Sequence, residues 1–175
     1  MSDTVARLKA AVREVPDFPR AGILFKDITP VLGDPALFRV ATEAMAAPWR
    51  GTGITHVAAI ESRGFLFGAP VAQALGAGLV PVRKPGKLPA RTVREDYVLE
   101  YGTDALEMHA DALPSGALVL VIDDVLATGG TAAAACSLVE RAGGTVAGVG
   151  VFIDLPFLNG RIRLAGRRVE TVVSY

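Results

Sequence analysis

Apolar residues in this chain fall into two kinds of run, and their alternation predicts the architecture. Residues 3–15 carry Val5, Leu8, Val12 and Val15 at helical spacing with charges between them, which predicts an amphipathic helix ended by Pro16 and Pro19. Residues 17–30, DFPRAGILFKDITP, set Phe18, Ile23, Leu24 and Phe25 among prolines, a glycine and charges, and read as an irregular hydrophobic hood. A further helix is expected from Pro35 to about Ala47, with Asp34 before its first turn. Beyond it the grammar changes. Residues 55–60, 79–82, 117–122 and 145–152 are short apolar runs without polar alternation, the pattern of strands covered on both faces. Helical segments at 65–75 and, rich in alanine, up to Arg141 separate them. Residues 90–101 alternate and read as a hairpin arm or mobile flap, His109 falls in a polar helical stretch behind it, and a helical remnant and a terminal strand follow Arg161.

Strands alternating with helices imply an α/β fold, a mainly parallel twisted sheet flanked by helices with right-handed crossovers. No linker, repeat or low-complexity tract interrupts residues 1–175, which are expected to form a single domain with a hood at about 16–30 and a flap at about 84–103. In open sheets of this kind ligands sit beyond the carboxyl ends of the strands. Three polar loops converge on that rim: Glu61 to Gly64, Arg83 to Lys87, and Asp123 to Thr131.

The third loop is the most informative. Residues 117–135, ALVLVIDDVLATGGTAAAA, give a buried strand, two carboxylates, a glycine turn flanked by threonines, and a helix. Gly129 and Gly130 let backbone N–H groups approach a phosphate without an intervening Cβ, at a helix N-terminus whose dipole favours an anion. Thr128 and Thr131 add hydroxyl donors. Asp123 and Asp124 would repel a bare phosphate, so they point to sugar hydroxyls or a metal, and the whole to a sugar phosphate. Neither a Gly-Lys-Ser/Thr loop nor a Gly-x-Gly-x-x-Gly fingerprint is present. The basic loop from Arg83 and Lys84 to Lys87, with Arg63 from the neighbouring strand, would suit a diphosphate.

Composition narrows the classes. Eighteen basic and 18 acidic residues leave no global field for nucleic acid or an anionic membrane, so phosphate binding must be local. Apolar runs end well short of a membrane span. One cysteine, Cys136, among alanines, reads as core packing; with no signal-peptide profile at the N-terminus, a cytoplasmic protein is expected. His56 and His109 lack metal-ligand spacing.

Val121 to Thr131 resembles the phosphoribosyl-diphosphate (PRPP) motif of the type I phosphoribosyltransferases. Residues 18–30, 61–68 (ESRGFLFG), 82–89 (VRKPGKLP), 99–102 (LEYG) and 123–131 (DDVLATGGT) together resemble the adenine-using branch of that family, over nearly the whole chain and in order. The resemblance implies adenine and PRPP as substrates, AMP and diphosphate as products, Mg2+ carried mainly through PRPP, and a homodimer, with no nucleic acid or membrane partner. It assigns Ala127, Thr128, Gly129, Gly130 and Thr131 to the 5′-phosphate, and Asp123 and Asp124 to the ribose. Arg63, Arg83, Lys84 and Lys87 fall at the diphosphate, with the Glu61–Ser62 peptide, often cis in the family. Leu24, Phe25 and Lys26 would face adenine from the hood, Lys26 standing where the animal enzyme carries arginine, and Leu155 would lie on the other face. Glu100 is implied as the proton acceptor and Tyr101 as cover; Ala127 occupies the position of the aspartate base of the 6-oxopurine enzymes and cannot take a proton. A PRPP-sensing regulator without catalysis, or an enzyme for xanthine or orotate, are the alternatives.

Overall fold

The computed structural model of the chain describes residues 2–98 and 103–175. Its first helix, α1 (Ser2–Ala11), ends at Ala11 rather than at Val15 as the periodicity predicted. The reason is tertiary: β1 (Arg13–Pro16) pairs antiparallel with β2 (Leu24–Asp27), and Arg13 Nε reaches Asp27 at 3.1 Å. The hood is therefore a short hairpin, not the irregular loop its prolines suggested. Next come α2 (Thr29–Gly33) and α3 (Pro35–Ala46). Asp34 caps α3, its carboxylate accepting from the N–H groups of Ala36 and Leu37 at 2.8 and 3.0 Å.

The remaining elements are β3 (His56–Ile60), α4 (Gly64–Leu75), β4 (Gly78–Val82), β5 (Thr92–Val98), β6 (Thr103–His109), β7 (Leu118–Leu126), α5 (Gly130–Arg141), β8 (Thr145–Asp154) and β9 (Val169–Ser174). Five of these strands form one parallel sheet in the order β4-β3-β7-β8-β9, with β7 at its centre. β5 and β6 form a separate antiparallel arm. His109 belongs to this arm, opposite Thr92, not to a helix; the seven-pair ladder decides a segment whose polarity read as helical.

Alternate residues of the sheet enter two cores. Ile60, Val82, Val121 and Val151 pack with α5, Tyr97, Leu106 and Met108 on one face. Leu120, Ile122 and Phe152 pack with Leu8, Val31, Met45 and Phe67 from the first four helices on the other. Cover on both faces is why these strands read as unbroken apolar runs. Cys136 is fully buried in the first core, where burial pushes its thiol up to about 11. Among the described residues no helix is long and apolar enough to cross a membrane.

Candidate active site

β7 does not stop where its apolar run stops. It continues through both carboxylates to Leu126, with Asp123 opposite Val151 and Leu126 opposite Asp154. Sheet pairing thus holds the acid pair as rigidly as the core. Asp124 is 4% exposed and ion-paired with Arg63, Nε to Oδ2, at 2.8 Å. Asp123 accepts its neighbour's backbone N–H at 2.8 Å and lines a cavity of about 340 Å³ at the carboxyl end of the sheet. Burial first, then the adjacent Asp124 charge, pushes the Asp123 carboxyl well above the ordinary range. Asp124 is raised by burial too, with Arg63 opposing.

Beyond β7 the chain bends through Ala127, Thr128 and Gly129 into α5. Gly129 sits at φ +80°, and a Cβ there would overlap the carbonyl oxygen of Gly160, so the position excludes a side chain twice over. Ala127, Thr128, Gly129 and Thr131 line the cavity, while Gly130 is buried as the first residue of α5.

The opposite wall comes from the ends of β3 and β4. Glu61, Ser62, Arg63 and Lys84 line the cavity, and the Glu61–Ser62 peptide is cis, as the resemblance implied. The Glu61 side chain is only 8% exposed and is an anchor for cations: Arg83 Nε lies 3.3 Å away, the Lys84 backbone N–H donates at 3.0 Å, and Lys87 Nζ pairs with Oε1. Burial raises the Glu61 carboxyl, but these donors outweigh it and its net position is below the ordinary value. Lys84 Nζ turns instead to Asp104 and to the Tyr97 hydroxyl at 3.0 Å. Burial lowers the Lys84 ammonium and these partners more than restore it, so it stays charged. Arg83 and Lys87 stand behind Glu61 and outside the cavity lining.

Sequence reasoning missed Asp104 and Tyr97, which lie on the arm rather than on the rim. Tyr97 also receives Thr131 Oγ1 at 3.4 Å, so one hydroxyl joins the basic loop, the arm and the start of α5. The alternation of residues 92–98 was the available signal, because it places Tyr97 inward.

The hood residues are placed next to this cavity through Arg63. Its guanidinium carbon lies 5.0 Å from the centre of the Phe25 ring, which meets Phe18 edge-on at 5.0 Å. Phe25 is thus a half-buried hood residue, not part of either core. Leu24 is 48% exposed. The Lys26 side chain is committed elsewhere, to Glu14 and to the Tyr175 ring at 4.0 Å, and its backbone lies in the β1–β2 ladder opposite Glu14. Leu155 is fixed by its own N–H donating to Leu126 O at 3.0 Å. Glu100 and Tyr101 lie outside the described residues.

A buried and a half-buried carboxylate above a glycine-threonine loop, facing a cationic wall with an aromatic hood beside it, are groups whose chemistry suits an anionic sugar and a flat partner. Known proteins agree. The family described as the phosphoribosyl transferase domain matches residues 32–163. The adenine phosphoribosyltransferase of Myxococcus xanthus is 56% identical, with 100% of this chain and 96% of that protein covered. The crystal structure of the adenine phosphoribosyltransferase of Rhodothermus marinus superposes with a TM-score of 0.96 at 55% identity, covering 100% of both chains. That of Saccharomyces cerevisiae, complexed with an imino-altritol bisphosphate and adenine, does so at 0.93 and 39% identity, covering 99% of this chain and 100% of that one. With the fold, the cradle and these relatives in agreement, the chain belongs to the adenine phosphoribosyltransferases of the type I phosphoribosyltransferase family.

Proposed function

We propose that this chain transfers the 5-phosphoribosyl group of PRPP to adenine, giving AMP and diphosphate, as a step of purine salvage. The observation that carries the reading is the single cavity in which the Asp123–Asp124 pair and the Ala127-to-Thr131 loop face Arg63 and Lys84. The reaction breaks the bond from ribose C1 to the diphosphate oxygen and forms the bond from C1 to adenine N9. The bonding pair leaves with diphosphate, and N9 loses a proton.

The residues divide this work. Backbone N–H groups and threonine hydroxyls of the loop hold the 5′-phosphate. Asp123 and Asp124 accept from the ribose hydroxyls, and their charge favours the oxocarbenium-like ribose that develops as diphosphate departs; preorganised charge of this kind is typically worth about 3–4 kcal/mol per group. Arg63 and Lys84 face the diphosphate, with Arg83 and Lys87 behind them. Phe25 and Leu24 cover one face of adenine and Leu155 the other, the backbone at Lys26 reads its edge, and Glu100 takes the N9 proton under the cover of Tyr101.

The two cavity carboxylates are hard oxygen donors of the kind magnesium accepts, although Asp124 is occupied by Arg63. Asp123 is therefore the residue that would support a magnesium ion arriving on PRPP, where the metal neutralises charge on the leaving diphosphate. The reading includes a cytoplasmic homodimer with hood and flap in one catalytic domain. Purified protein incubated with PRPP, magnesium and each base in turn should yield AMP from adenine; no AMP, with product from xanthine or orotate or with PRPP binding alone, would replace this reading by one of its alternatives.

A further inference from the structure

β8 ends on Asp154, a carboxylate only 3% exposed that takes no part in the chemistry above. Its Oδ2 accepts from Arg161 Nε at 2.7 Å, and Arg161 Nη1 donates to Val169 O at 3.2 Å. Between acid and base the chain folds into two short 3-10 turns, Pro156–Leu158 and Gly160–Leu164, joined by Asn159 at φ +56°. The turns press Gly160 against the phosphate loop. A Cβ on Gly160 would overlap the Ala127 carbonyl oxygen and stand 3.1 Å from the Gly129 nitrogen. The contact is reciprocal, since a Cβ on Gly129 would strike Gly160 O.

Backbone therefore lies on backbone, with no side chain between the two segments to yield. The loop cannot retreat from the cavity unless Gly160 moves, and Gly160 is followed at once by the residue that pairs with the buried acid. Breaking that pair leaves Asp154 a buried charge without its guanidinium, which is strongly disfavoured. We propose that Arg161, through Asp154 and the backbone at Gly160, is a positioning residue that holds the 127–131 loop in register for the 5′-phosphate. The proposal rests on reading that loop as the phosphate cradle.

The test uses the full chain and ribose 5-phosphate as the probe, with binding measured by calorimetry beside steady-state kinetics. Arg161 is itself 47% exposed, so Arg161→Met opens no cavity, and circular dichroism checks that the variant keeps its fold. A misplacement of about 1 Å in a site can cost about 10²-fold, and we expect the Kd for ribose 5-phosphate and the KM for PRPP to rise roughly tenfold in Arg161→Met. The KM for adenine should move far less, and Arg161→Lys should recover part of the loss. Gly160→Ala, which pushes on the loop directly, should show the same split with a larger rise. An unchanged Kd in both Arg161→Met and Gly160→Ala, or equal rises in the KM of both substrates, overturns the brace. Failure of the parent protein to bind ribose 5-phosphate would instead overturn the cradle itself.

Discussion

The two walls of the cavity are charged in opposite senses. On the β7 wall, the buried Asp124 pairs with Arg63 and the half-buried Asp123 lies beside it, and both carboxyls are raised, burial being the first cause in each. On the β3–β4 side, Lys84 at the cavity and Arg83 and Lys87 behind it are paired with two carboxylates, Glu61 and Asp104, both of which are lowered, their donors outweighing burial. One wall is short of positive charge and the other is well supplied with it. Each complements what it would meet during reaction, a ribose turning cationic on one side and a diphosphate gathering negative charge on the other. The comparison explains why the acids of one wall are held by strand pairing while the cations of the other are held by acids: a destabilised charge needs a rigid frame, and a stabilised one supplies its own.

The largest expected effect separates binding from chemistry. Glu100→Ala should depress turnover by about 10²–10⁴-fold, the usual range for a general base, while PRPP affinity stays unchanged. Intact turnover in single-turnover assays would move the proton acceptor elsewhere, back towards the acid wall. Next, Gly129→Val combines a β-branched residue at φ +80° with overlap against Gly160. Left-handed backbone costs about 1–2 kcal/mol and overpacking about 1–3 more, so PRPP binding should fall on the order of 10²-fold. Retained affinity by calorimetry would deny the close backbone approach.

The walls should also answer pH in opposite ways. Glu61 has a folded pKa below its unfolded value, so its contribution to stability is fully present above about pH 4.3 and is lost as pH falls through the lower folded value. Asp123 has a raised folded pKa, so its ionised form costs stability, and that cost is relieved as pH falls. Glu61→Gln should therefore lower stability at neutral pH by about 1–3 kcal/mol, the scale of hydrogen bonds to a charged group, and flatten the acid loss. Asp123→Asn should instead stabilise the chain at neutral pH while abolishing turnover. Urea titrations across pH that moved both variants in the same direction would break the comparison. The smallest effect belongs to the hood: Phe25→Leu should raise the KM for adenine several-fold, since an aromatic contact is worth about 1 kcal/mol, and leave PRPP untouched.

Sequence alone determined the strands of the parallel sheet, because residues covered on both faces must be apolar throughout, and singled out 123–131, where carboxylates, glycines and threonines are contiguous. It determined the convergence of three loops on one rim, which follows from parallel topology. Tertiary structure decided what depended on distant pairing. Arg13–Pro16 left its helical pattern for a ladder with Leu24–Asp27, and His109 entered a strand because Thr92 lay opposite. Tyr97 and Asp104 came to Lys84 only when the arm folded over the basic loop, and packing made the Glu61 side chain an anchor for cations. The contact of Gly160 with the loop, across 31 positions of sequence, left no local trace. Local pattern records which face a residue shows to its own element; which distant charge or carbonyl it meets is fixed by packing.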